Sequence, residues 1–145
     1  ISSNNIKKAT LIHPAVNIPD DIEIAAGCVI YPGVCIGQQV KIGEGVLINY
    51  LSLIGVGVQI GEFSFIGPHA CITADCSVGI KTIIGAGSSL IPGIRIGARC
   101  IVGLGSRVLT DIPDDHRLVQ LPRQYLRPTS ELRKGRVSWA SSENE

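Results

Sequence analysis

The chain has no methionine, position 1 included, so it is expected to be processed, trimmed or part of something longer. Aromatic residues are only 4% of its 145 residues, which leaves aliphatic side chains to fill any core. Charged residues are scarce at 17% while hydrophobic ones reach 45%, which excludes disorder along the whole length. There is no run of 18 apolar residues and no apolar signal segment at the start. Membrane insertion is therefore not expected, and a soluble cytoplasmic protein is. A net charge of +1 gives no reason to expect a nucleic-acid partner. The five cysteines never form a CxxC pair, so no metal site is expected. Their odd number suits a reducing compartment, and they read as small buried hydrophobes.

Glycine, by contrast, is plentiful at 17 residues, and a repeat explains why. Stepping by six from Ile12 to Val108 meets seventeen residues, every one Ile, Leu or Val. Taking these as position 1 of each hexad, position 2 is glycine in nine: Gly37, Gly43, Gly55, Gly61, Gly67, Gly79, Gly85, Gly97 and Gly103. Asn49 fills the same slot. Glycine and asparagine tolerate a left-handed backbone, so position 2 is expected to be the corner. Position 5 is small or β-branched from Val16 to Ile112, and Cys28, Cys76 and Cys100 fall in that column. A six-residue period spreads side chains around an α-helix, which excludes one. A short strand plus a corner per hexad closes a triangle in three hexads. The expected fold is all-β: a parallel β-helix of about five to six 18-residue coils stacked roughly 4.8 Å apart. Residues 9–112 should form it, and 113–145 a C-terminal extension, with a short helix around Leu118–Arg127. The ends differ in charge. Residues 1–80 carry three basic against six acidic side chains, and residues 81–145 ten against six.

The pattern [Ile/Leu/Val]-Gly-x-x-[small]-x resembles the hexapeptide-repeat acyltransferases, whose coils are left-handed. "LIHP" at Leu11–Pro14, "VLIN" at Val46–Asn49 and "VLTDIPDD" at Val108–Asp115 resemble the sugar acetyltransferases of sialic acid and bacillosamine pathways. That resemblance implies a homotrimer transferring acetyl from acetyl-CoA to an amine or hydroxyl of a (nucleotide-)sugar, in a cleft between subunits. It also implies CoA along the C-terminal coils. The family's His-Asp pair falls at Val56 and Gly57 here, and a further family histidine at Phe65.

Of the three histidines, His13 before Pro14 reads as structural and His116 lies past the last expected hexad. His69 is the candidate general base, because imidazole titrates near neutrality and can take a proton from an amine or hydroxyl. Asn49 is the candidate acceptor-binding residue. Gly85, Gly103 and Gly105 could offer backbone amides to CoA, and Arg107 and Arg123 could pair with its phosphates. The alternative is a non-catalytic trimeric β-helix scaffold, or a family member lacking the usual catalytic histidine; Val56-Gly57 favours it.

Overall fold

The structure is a computed structural model that describes residues 8–120. Arg123 and most of the expected Leu118–Arg127 helix lie outside the described residues. Within them the chain makes seventeen two-residue strands and no helix, so no helix there is long and apolar enough to cross a membrane. In each strand one residue points out and the next points in. Leu47 is half-buried and Ile48 is fully buried, for example.

The strands stack into three parallel sheets. Face 1 has seven strands, from Leu11–Ile12 through Leu47–Ile48 and Ile83–Ile84 to Arg117–Leu118. Face 2 runs from Cys35–Ile36 to Arg107–Val108, and face 3 from Glu23–Ile24 to Arg95–Ile96, with five strands each. Partners are 18 residues apart, as in Ile12 with Ile30 and Ile30 with Ile48. The chain is thus a left-handed β-helix of about six coils. Position 1 and position 5 side chains fill its centre, among them Ile48, Ile66, Ile84, Val40 and Val58. No single coil can bury that face, so stacking and hydrophobic burial are the same event.

Two expectations need correcting. The left-handed backbone is at position 4, not position 2. Gln39, Leu51, Phe63, His69, Asp75, Lys81 and Arg99 have φ between 54° and 58°, and Gly33, Gly45, Gly57, Gly87, Gly93 and Gly105 share the slot. Positions 2 to 5 form a turn closed by a hydrogen bond such as Ser88 N–H to Gly85 O (3.2 Å). Proline at the second turn residue and glycine at the third, as in Pro32-Gly33 and Pro92-Gly93, match a type II turn. Position 2 is glycine for another reason: a Cβ there would strike the next coil. At Gly37 it would stand 2.7 Å from the Val56 nitrogen, and at Gly55 2.7 Å from the Ala74 nitrogen.

The second correction is at the end of the stack. The last coil is 16 residues, not 18: Ile112 bridges Ile96, and Leu118 pairs with Val102. Ile112 therefore takes a strand position rather than a place in the position 5 column. His116 belongs to the last corner, where its carbonyl accepts the Ile101 N–H (3.0 Å).

An exposed sheet edge invites pairing with other chains. Side chains occupy this one. The Gln120 amide imitates a strand, accepting the Arg107 N–H (2.8 Å) and donating to the Arg107 carbonyl (2.9 Å). Asp111 accepts the Arg95 N–H and Asp114 the Ala98 N–H, both at 2.8 Å. Asp115 receives two bonds from the Arg99 guanidinium (2.5 and 2.7 Å). The hydrogen bond from Arg99 holds the Asp115 carboxyl below its ordinary value of 3.8, and the charge of Arg99 acts in the same direction. A depressed folded value means the pair's contribution is present above the ordinary carboxyl range and lost as pH falls through the folded value. Asp115→Asn should therefore melt slightly below wild type at pH 7. The gap should close as pH falls below 3.8, checked by thermal melts at both pH values.

Candidate functional site

Hexad arithmetic decides which candidate residues meet. Asn49, Gly85 and Gly103 are whole coils apart at position 2, and His69 and Gly105 are two coils apart at position 4. All five stand on the edge between faces 1 and 2. Arg107 projects from face 2, two residues beyond Gly105, and is exposed. Six candidates thus share one edge and the face beside it; Arg123 lies outside the described residues.

His69 is exposed at φ 57°, raised by Pro68 on the preceding corner residue. Its N–H donates to the Tyr50 carbonyl one coil below (3.0 Å). The Tyr50 ring tilts 44° against that of Tyr31, with centroids 4.6 Å apart. The edge below His69 is therefore aromatic. Asn49 is not in the left-handed region; its Oδ1 accepts the Tyr50 N–H (2.9 Å), which leaves its amide NH₂ to donate outward.

The three glycines do not offer their amides. Gly85 N–H donates to Val102 O (2.8 Å), Gly103 N–H to Leu118 O (2.9 Å) and Gly105 N–H to Ala86 O (2.8 Å). The stacking of coils consumes them. The amides with no acceptor among the described residues are one position along, at Ala86 and Leu104. Sequence reasoning missed these two because nothing in their side chains marks them. The turn geometry does: the N–H of the second turn residue points outward.

Face 2 presents Cys35, Leu53, Cys71, Ser89 and Arg107, mostly small side chains on a flat surface. On its far edge stand Val56 and Gly57, where the resembled family carries its His-Asp pair, and Phe65 points out of face 1. His69 is thus a whole face away from Val56 within one chain. A shallow groove of about 760 Å³ lies on face 3, lined by Glu23, Lys41, Gln59, Ser77 and the glycines Gly43, Gly61 and Gly79. None of the candidate residues lines it. Among the described residues no three of His, Cys, Asp and Glu gather to hold a metal ion. Burial raises the Cys28 thiol, which keeps it protonated and inert.

No family model matches the chain, and no curated protein matches it in sequence. Solved structures do. A histidine-to-asparagine variant of perosamine N-acetyltransferase from Caulobacter crescentus, in complex with CoA and GDP-perosamine, superposes with a TM-score of 0.78 at 29% identity. It covers 80% of this chain and 55% of that one. PerB from the same organism, with the same two ligands, gives 0.75 at 30% identity over 77% of this chain and 54% of that one. The acetyltransferase domain of PglB from Neisseria gonorrhoeae, with acetyl coenzyme A, shares the fold at 23% identity and a TM-score of 0.76, over 78% and 55% of the two chains. This chain spans about half the length of these proteins. It is a left-handed β-helix of hexapeptide repeats that resembles the sugar N-acetyltransferases.

Proposed function

We propose that this chain is an acetyltransferase that moves acetyl from acetyl-CoA to an amine or hydroxyl of a nucleotide-linked sugar. The observation that carries this reading is the 29–30% identity, over about four-fifths of the chain, to enzymes held with CoA and GDP-perosamine. The working form is a cytoplasmic homotrimer whose cleft lies between neighbouring copies. Six of the seven outward positions of face 1, Leu11, Val29, Leu47, Phe65, Ile83 and Ile101, are apolar, with Arg117 at the end of the column, and this surface suits contact between copies. His69 takes the proton from the acceptor, and Asn49 holds the acceptor through its free NH₂. CoA runs past the open surface at Gly85, Gly103 and Gly105, where the Ala86 and Leu104 amides face solvent. Arg107 and Arg123 meet its phosphates. Positioning the thioester against the acceptor supplies much of the rate.

Calorimetric titration with acetyl-CoA tests this. Micromolar binding is expected, weakened about tenfold or more by Arg107→Ala, as the loss of a charge-assisted contact requires. His69→Ala should keep that affinity and lower kcat by about 10²-fold or more. Binding without turnover would favour the second reading, a non-catalytic scaffold, which the Val56-Gly57 pair supports. No binding would end the transferase reading.

A further inference from the structure

On the edge between faces 1 and 2, position 2 runs His13, Tyr31, Asn49, Gly67, Gly85 and Gly103 in successive coils. On the edge between faces 3 and 1 the same column is Ala25, Gly43, Gly61, Gly79 and Gly97. A side chain in this column presses on the coil above at the residue 19 further on, as a Cβ at Gly37 would on Val56. Tyr31 and Tyr50 are 19 apart, and their rings meet there with centroids 4.6 Å apart. Three successive coils thus break the rule that the rest of the column keeps, and a departure of that kind is expected at a functional site. The backbone also consumes the acceptor atoms of these side chains. His13 Nδ1 accepts the Ala15 N–H (3.2 Å), which leaves the ring proton on Nε2. Asn49 Oδ1 accepts the Tyr50 N–H (2.9 Å), which leaves its NH₂. Both side chains therefore present donors; Tyr31 stands between them in the column, and Tyr50 beside it is 47% exposed. No acidic residue belongs to a corner of this edge from His13 to Ser106, whereas Glu44 and Glu62 stand on one of the other edges and Asp75 on the remaining one. Donors, aromatic rings and the absence of negative charge suit a ligand with a flat base and acidic oxygens.

We propose that the N-terminal half of this edge binds the nucleoside diphosphate of the acceptor: Tyr50, backed by Tyr31, stacks on the base, while Asn49 NH₂ and His13 Nε2–H donate to the oxygens of the nucleotide. This rests on the reading of the chain as a transferase for nucleotide-linked sugars. His69 stands about three coil steps from His13, roughly 14 Å, which leaves room for the base and diphosphate below and puts the sugar at the general base. The bare half of the edge, at Gly85 and Gly103, remains for CoA. His13 is then a binding residue as well as the opening of the first coil. The tyrosines meet a face that all bases share, so the expected selectivity is for nucleotide over bare phosphate rather than for one base.

The test is calorimetric titration of the full chain with GDP and with UDP, neither carrying a sugar, and with inorganic pyrophosphate. Wild type should bind both nucleotides about tenfold or more tightly than pyrophosphate, and Tyr50→Ala should remove that advantage while leaving acetyl-CoA affinity unchanged. Tyr50→Phe keeps the ring and should stay within about twofold of wild type, which separates stacking from damage to the coil. His13→Phe keeps a ring but removes its donor, and should weaken both nucleotides. Tyr50→Ala within about twofold of wild type would overturn the proposal, as would nucleotides that bind no better than pyrophosphate. Displacement of GDP by CoA would overturn it too, because the tyrosines would then hold the base of CoA. Acetyl-CoA binding that persists where the nucleotides fail would leave the transferase reading standing. Failure of both would remove both.

Discussion

Gly79→Ala should destabilise the protein by about 4 kcal/mol or more, while Gly87→Ala should cost only about 1–2 kcal/mol. Both add one methyl group to a corner glycine. At Gly79 the new Cβ would stand 2.5 Å from the Ala98 nitrogen, and the obstacle is the backbone of the next coil. A flexible side chain could swing aside, but a coil held by its own ladder cannot. Relief would require prising coils apart, which strains hydrogen bonds such as Gly79 N–H to Ile96 O (2.8 Å). At Gly87 nothing lies within 4 Å, so the penalty is the left-handed φ of 67° alone. Against a typical total stability of about 5–15 kcal/mol, the first change removes a large share and the second does not. Urea unfolding of the two variants decides the matter. Equal losses would mean that coil spacing yields easily and that close approach is not why position 2 is glycine.

The same pair shows what the sequence could and could not reveal. Ile12 to Val108 announced the fold because one aliphatic column must face the axis at every sixth residue. Glycine was ambiguous, since both a left-handed backbone and a close approach select it. Only the bulky residues break the tie: Leu51 and Phe63 take the left-handed slot, and no propensity would have put them there. The shortened last coil was hidden because Ile112 is apolar and suits either register. The site was half legible. Steps of 18 from Asn49 to Gly85 and Gly103, and from His69 to Gly105, already put these residues on one edge. The 13 residues from Val56 to His69 already put that pair on different edges. What spacing could not tell was which amides the stacking consumes, so the free donors at Ala86 and Leu104 emerged only from the hydrogen bonds.

Thr82→Val should cost about 2–4 kcal/mol although it conserves shape. Position 5 is not only small; on the edge between faces 3 and 1 it is a relay. Ser64 Oγ donates to Gly79 O (2.8 Å) and accepts the Thr82 N–H (3.1 Å). Thr82 Oγ1 repeats this one coil up, donating to Gly97 O (2.8 Å) and accepting the Cys100 N–H (3.1 Å). Each hydroxyl bridges the turn stacked above it, in an interior that water does not reach. Valine would fill the volume but leave one buried N–H and one buried C=O without these partners. Each such loss costs about 1–3 kcal/mol, and the added methyl group returns a little under 1 kcal/mol. Ser106 supplies the control. It is equally buried, yet its hydroxyl has no partner among the described residues. Ser106→Ala removes a polar group that gains nothing from its burial, so it should be neutral or slightly stabilising. If Thr82→Val unfolded at the same urea concentration as wild type, the relay would be incidental. The small residues of position 5 would then serve volume alone.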